Sequence, residues 1–342
     1  MKILIRKHDF LFNANRFILT FTCNSNAYIS TTGKDRKNNL VTVLTTKKYR
    51  TMRRKIALWL FLFLPAICWS QESKVFDNLT IKSTILKVDK KFAIYLPAGY
   101  ETSQRSYPVV YLLHGYGDNQ TGWVQFGEVQ SIVDKGISEG KITPMIIVMP
   151  DGEKTWYMND AMGKYPFEDF FIKEFIPYIE KNYRCRPEKE FRAIAGLSMG
   201  GFGSLLNALH HPELFSTSVA LSAAVFLDED INKMSASDFS NYFGKIVGAP
   251  KEGEPRINDF WNKNSILYLV KNMPETQKHA VRFWIDCGDD DFLYKGNSAL
   301  HDLMRELNVP HEFRIRDGSH TWEYWRTGLP DALNYITKGF HR

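Results

Sequence analysis

The chain predicts an α/β fold with a mostly parallel central sheet, helices on both faces and an antiparallel N-terminal edge. Three observations carry this expectation. Short apolar runs recur from Val109 onward, helical patterns separate most of them, and the stretch before Val109 reads as two alternating strands. Strands covered on both faces are apolar almost throughout, whereas a strand wet on one face alternates. The 342 residues are 44% apolar and 24% charged, which excludes a disordered or low-complexity chain.

In chain order, Thr80 to Leu86 and Lys91 to Leu96 alternate and read as a hairpin-like edge. The buried strands follow at Val109 to Leu113, Ile146 to Met149, Phe191 to Ala195, Ser218 to Leu221, Val281 to Ile285 and His311 to Ile315. Helical spacing occupies 126–137, 167–182, 199–210, 296–307 and 321–339. Strands alternating with helices imply right-handed crossovers. No repeat or linker divides residues 71–342, so one domain is expected. Strand signals lapse over about 224–270, which includes the Pro/Gly/charge-rich stretch Ala249 to Pro255. An excursion of that length is expected to serve as a lid or pocket wall.

Upstream the texture differs. Residues 1–70 hold 13 Lys+Arg against 2 Asp+Glu, and the remaining 272 hold 31 against 36. The formal charge of +6 therefore belongs to the leader, and nucleic acid is not an expected partner. Met52-Arg53-Arg54-Lys55 precedes an apolar run from Ile56 to Ile67, the pattern of a secretory signal and too short to span a bilayer. Residues 52–70 are read as that signal, with cleavage between Ser70 and Gln71. A lipoprotein reading at Cys68 is disfavoured because Ile67 stands where a small residue is wanted. Residues 1–51 lack hydrophobic periodicity and are read as a mis-called start or a disordered extension. Cys185 and Cys287 are the two cysteines beyond the leader, expected as unpaired buried thiols.

The chemistry is announced by Gly196-Leu197-Ser198-Met199-Gly200. It follows a predicted strand and opens a predicted helix, the strand–turn–helix context that projects a serine hydroxyl at a sheet's carboxyl edge. Such a hydroxyl needs a base held by a third group. Of the nine histidines, His320 lies in the loop between the last strand and the last helix, at the edge where Ser198 sits. The acid should follow the Val281 to Ile285 strand, where Asp286, Asp289, Asp290 and Asp291 stand. Asp286 still belongs to the strand pattern, and local physics does not choose among the other three. Ser, Asp, His is the α/β-hydrolase order. An oxyanion needs two amide donors, offered by Met199 N–H and by Tyr116 in the glycine-rich bend His114 to Asp118. No metal or organic cofactor is implied.

Over residues 75–340 the chain resembles the putative-esterase family, which includes feruloyl and acetylxylan carbohydrate esterases, tributyrin-type esterases, S-formylglutathione hydrolases and mycolyltransferases. The resemblance rests on His114-Gly115, Pro150-Asp151-Gly152 with Trp156-Tyr157, Gly196 to Gly203, Cys287-Gly288 with Asp291 to Tyr294, and Gly318-Ser319-His320 with Trp322 and Trp325. It implies that Asp291 is the acid and that the amides of Met199 and Tyr116 form the oxyanion hole. Leu197 stands where S-formylglutathione hydrolases tend to have His, and mycolyltransferases lack the Gly200-Gly201 pair, so the carbohydrate-esterase side is nearer. The expected function is a secreted serine carboxylesterase acting on feruloyl or acetyl esters of plant polysaccharides, or on short-chain acyl esters. Trp123, Trp156, Tyr157 and Trp322 are candidates to stack on the substrate. A non-catalytic carbohydrate-binding protein on the same fold, or acyl transfer by the same triad, are the alternatives.

Overall fold

The structure, a computed structural model, describes residues 72–248 and 254–340. The expected leader, with Cys68 and its cleavage point, lies outside the described residues, as does part of the Ala249 to Pro255 stretch.

Eight strands form one sheet in the order β1-β2-β4-β3-β5-β6-β7-β8. They are β1 Lys74–Lys82, β2 Asp89–Leu96, β3 Val109–Leu113, β4 Ile146–Pro150, β5 Arg192–Leu197, β6 Thr217–Leu221, β7 Arg282–Gly288 and β8 His311–Arg316. The β1–β2 and β2–β4 pairs are antiparallel and all later pairs are parallel. The expected fold class is what the chain adopts.

Period-2 alternation splits the sheet's side chains between two apolar layers. Val109, Tyr111 and Leu113 of β3 face one, and Val110 and Leu112 face the other. Helices 167–182, Met199–His210 and Tyr294–Glu306 cover the first face. Helices Val129–Ser138 and Trp322–Gly339 cover the second. Within 167–182 the helix widens to a π turn at Phe171–Phe175, just before Pro177. Proline lacks an N–H and clashes with the preceding turn, which the wider turn relieves.

Two of the boundaries that differ from the sequence reading have a clear physical cause. The first strand ends at Lys82 because Glu174 collects the donors that follow it. Its carboxylate accepts from Ser83 Oγ at 2.5 Å, Thr84 N at 2.9 Å and Ile85 N at 3.0 Å, which bends the chain out of the sheet. The helix expected from 126 starts at Val129, since Glu128 takes a left-handed φ of 51°. The 224–270 stretch contributes no strand among its described residues. It forms helices Asp228–Lys233, Ala236–Val247, Asp259–Asn264 and Ile266–Lys271, with side-chain N-caps at Ser235, Asn258 and Ser265. No helix among the described residues is long and apolar enough to cross a membrane.

The topology prepares a site. From β3 the chain goes to β4 on one side and then to β5 on the other, so the strand order reverses at β3–β5. Open α/β sheets bind ligands in the crevice beyond the carboxyl ends at such a point. Parallel pairing brings the carboxyl ends of β5, β7 and β8 to one rim.

Candidate active site

Ser198 joins β5 to helix Met199–His210 with φ 54° and ψ −117°, a strained backbone for any residue with a side chain. Two glycines make the turn possible. A Cβ on Gly196 would meet the Gly200 carbonyl oxygen at 2.3 Å, and one on Gly200 would lie 2.4 Å from the Leu113 oxygen and 2.6 Å from that of His114. Those neighbours are backbone atoms, which no rotamer change can move aside. The G-x-S-x-G spacing is thus a packing requirement at both ends.

His320 follows β8, and its Nε2 lies 2.9 Å from Ser198 Oγ. Its Nδ1 lies 2.9 Å from Asp291 Oδ2, on the turn after β7. A carboxylate only accepts, so Nδ1 carries the hydrogen. That leaves Nε2 with a lone pair to accept the Ser198 hydroxyl. Burial pushes the Asp291 carboxyl up, but hydrogen bonds from His320 and the Leu293 N–H at 2.8 Å, helped by Ser222, outweigh it and hold the group below the ordinary aspartate value.

Three adjacent aspartates are sorted by the turn that holds them. Asp291 N–H donates to Gly288 O at 3.2 Å and its side chain turns inward, fully buried. Asp289 stays outside, where its Oδ1 accepts from Gly318 N at 3.0 Å and Asp290 N at 3.1 Å. The exposed carboxylates of Asp289, Asp290 and Asp317 come within 4.8 Å of one another. This turn-capping explains their proximity. Asp286, buried in β7, accepts both Arg316 Nε and Nη2 at 3.0 Å and also the Tyr324 hydroxyl. It ties β7, β8 and the last helix together beneath the Asp291 and His320 loops.

One residue escaped sequence reasoning. Ser222, just past β6, is fully buried with φ 46°, and its Oγ accepts from Trp325 Nε1 at 3.0 Å. Trp325 also packs edge-on against the His320 ring, with centroids 4.9 Å apart and planes at 90°. The Ser222 hydroxyl helps to hold the Asp291 carboxyl low. No local motif marks Ser222; only the adjacency of β6 and β7 brings it to the acid.

The expected oxyanion donors flank the serine. Met199 opens its helix, so its N–H has no carbonyl within the helix to bond. On the other side a Cβ on Gly115 would lie 2.7 Å from Leu197 Cδ1 and 3.5 Å from Ser198 Cβ, so the Gly115-Tyr116 segment runs directly beside the nucleophile. His114 takes no part in the Ser–His–Asp chain. Its buried Nε2 accepts from Gly152 N–H at 2.8 Å while its other ring nitrogen bonds the Gly115 carbonyl.

The aromatic candidates require correction. Trp123 is 1% exposed and donates to Leu113 O at 2.9 Å, so its ring is sheet packing. Tyr157 is fully buried and donates to His114 O at 3.0 Å, holding up the loop that carries Tyr116. Trp156 is buried as well; its Nε1 donates to Tyr242 O at 2.8 Å, and its ring lines a cavity of about 20 Å³ with Phe202, Phe226, Phe243 and Trp261. That space holds little more than one water, so these rings form the core of the helical excursion. Trp322 is half-buried and packs edge-on against Trp123 and Trp325. The ring that does stand open beside His320 is Phe292.

Comparison with known proteins identifies the family. A family model described as "Putative esterase" matches residues 83–336. An endo-1,4-beta-xylanase/feruloyl esterase of Xylanibacter ruminicola is 40% identical over 150 residues, 42% of this chain and 21% of that one. An acetyl esterase of Caldicellulosiruptor saccharolyticus is 24% identical over 273 residues, 78% of this chain and 96% of that one. The solved structure of a ferulic acid esterase superposes with a TM-score of 0.67 at 32% identity, covering 78% of this chain and 99% of its own. The chain spans 21% to 52% of the length of three of the curated relatives it matches. The match over 254 of its 342 residues, on an α/β-hydrolase sheet, establishes that the chain belongs to the putative esterase family.

Proposed function

We propose that the protein is a secreted serine carboxylesterase acting on feruloyl or acetyl esters of plant polysaccharides, or on short-chain acyl esters. One observation carries the reading. A serine, an imidazole and a carboxylate from three separate strand ends form a continuous chain through two 2.9 Å hydrogen bonds. Ser198 Oγ attacks the ester carbonyl as His320 Nε2 takes its proton. Asp291 steadies the imidazolium and stays ionised. The oxyanion forms where the Met199 and Tyr116 amides converge beside the helix N-terminus. His320 then returns the proton to the departing alcohol, leaving an acyl group on Ser198. Water, activated by the same imidazole, releases the acid.

The substrate class is supported by the feruloyl and acetyl esterases among the relatives, and secretion by the basic cluster and apolar run of residues 52–70. The helical excursion walls the acyl side: Tyr116 Oη donates to Asn241 O at 2.7 Å, tying the oxyanion loop to helix Ala236–Val247. The test is a burst experiment with nitrophenyl acetate alongside fluorophosphonate labelling. Ser198→Ala should abolish the label and lower kcat/KM by roughly four orders of magnitude or more. A variant that keeps either the burst or the label refutes the assignment.

A further inference from the structure

Phe292 is the most exposed large apolar side chain among the described residues, at 72%, although its backbone is held tightly. Asp291 N–H bonds Gly288 O on one side and Tyr294 N–H bonds Asp291 O at 3.0 Å on the other. Its ring lies against His320, with centroids 4.6 Å apart and planes at 50°. The imidazole is thereby flanked by Phe292 and by the buried edge contact of Trp325. An ordered, open ring touching the base gains nothing for folding where it stands, because most of its surface remains in water.

The chemistry says what comes next to it. His320 Nε2 must hand its proton to the alcohol oxygen that leaves, so that oxygen sits within about 3 Å of Nε2. The alcohol's carbon skeleton therefore begins beside the imidazole, while the acyl carbon is bonded to Ser198 and its oxygen faces the Met199 and Tyr116 amides. We infer that Phe292 is a stacking platform for the alcohol half of the ester, and that its occupant is a sugar ring. A platform with one apolar face and no opposing wall suits a pyranose or furanose, which lays its C–H face on the aromatic and keeps its hydroxyls in water. An aliphatic alcohol would need an enclosed slot to exclude water from all sides. The inference rests on the esterase reading and adds to it the recognition of the leaving group.

The test compares two esters of one acid, methyl ferulate and the ferulate ester of a methyl arabinoside, on the full-length enzyme. The readout is the ratio of kcat/KM for the sugar ester to that for the methyl ester. Phe292→Ala should lower this ratio by roughly three- to tenfold, the size of one aromatic contact. Phe292→Leu should lower it similarly, and Phe292→Tyr should restore it. An unchanged ratio in the Ala variant overturns the inference, as does an equal fall for both esters, which would make Phe292 a positioning residue for His320. Calorimetric binding of methyl arabinoside to Ser198→Ala, with and without Phe292→Ala, reads the platform apart from turnover. Absence of ferulate hydrolysis by the unmodified enzyme would count against the substrate reading, while binding lost only with the Phe292 ring would still support the platform.

Discussion

Replacing Ser222 by alanine separates the geometry of the acid from its mere presence. The carboxylate of Asp291 accepts from the His320 Nδ1–H and the Leu293 N–H, and the Ser222 hydroxyl also helps to hold it low. The variant leaves the buried Trp325 Nε1–H without its acceptor, which costs about 1–3 kcal/mol. A loss of about 1–3 kcal/mol of stability is therefore expected, measurable by urea unfolding at neutral pH. Its pH dependence has a definite sign. A carboxyl held below its ordinary value of 3.8 contributes stability that is present above that pH and is lost as pH falls through the folded-state value. Without Ser222 that folded value rises toward the ordinary one. The contribution linked to Asp291 ionisation is then smaller above pH 3.8, and this part of the difference from the parent protein disappears in strong acid. In catalysis the weakened acid supports the imidazolium less well. About 1.4 kcal/mol of that loss in the transition state is a tenfold fall in kcat, with KM for nitrophenyl acetate nearly unmoved. A variant with full kcat would refute the idea that Ser222 orders the acid.

Gly200→Ala should cost at least about 2 kcal/mol in urea unfolding and most of the esterase activity, because its Cβ would press on the Leu113 and His114 carbonyls at 2.4 and 2.6 Å. Parent-like stability would show that the elbow can open. Glu168 accepts from His210 at 2.9 Å and His211 at 2.8 Å, while the other nitrogen of His210 donates to Lys263 O, which ties the excursion to the helices 167–182 and Met199–His210. Burial pushes Glu168 up, but the two histidines outweigh it and hold the group at about 2; burial lowers His210, but Glu168 prevails and raises it above 6.5. The Glu168 contribution is lost as pH falls through about 2, and the His210 contribution, full below 6.5, is lost as pH rises past its folded value. Glu168→Gln should therefore lower Tm more at pH 5.5 than at pH 9, and equal losses would exclude a charged pair. Burial pushes both Cys185 and Cys287 thiols up to about 12, so iodoacetamide at pH 8 should label neither until the protein is denatured.

The parts legible in the sequence are those whose physics is local. Five consecutive residues from Gly196 to Gly200 announce the elbow, and the Gly196 half of its steric argument lies within them, whereas the carbonyls that require Gly200 belong to Leu113 and His114 at the end of β3. The apolar runs of β3 to β7 are legible because burial on both faces leaves little room for polar residues. What failed depends on contacts between distant segments. Glu174 ends β1 from roughly ninety residues away, and nothing between Thr80 and Leu86 announces it. A tryptophan reads the same whether it faces a substrate or a sheet, so Trp123 and Tyr157 could be placed near the motif loops but not assigned a face. The acid shows the boundary most clearly. Asp289, Asp290 and Asp291 are chemically identical and adjacent, and the resemblance to known esterases was needed to choose among them. The physical reason for that choice lies in the turn, where one N–H bonded back to Gly288 rotates the third carboxylate inward toward His320 and leaves the first to cap the Gly318 loop. A sequence rule for such sites would have to count positions from the end of the strand rather than weigh the residues themselves.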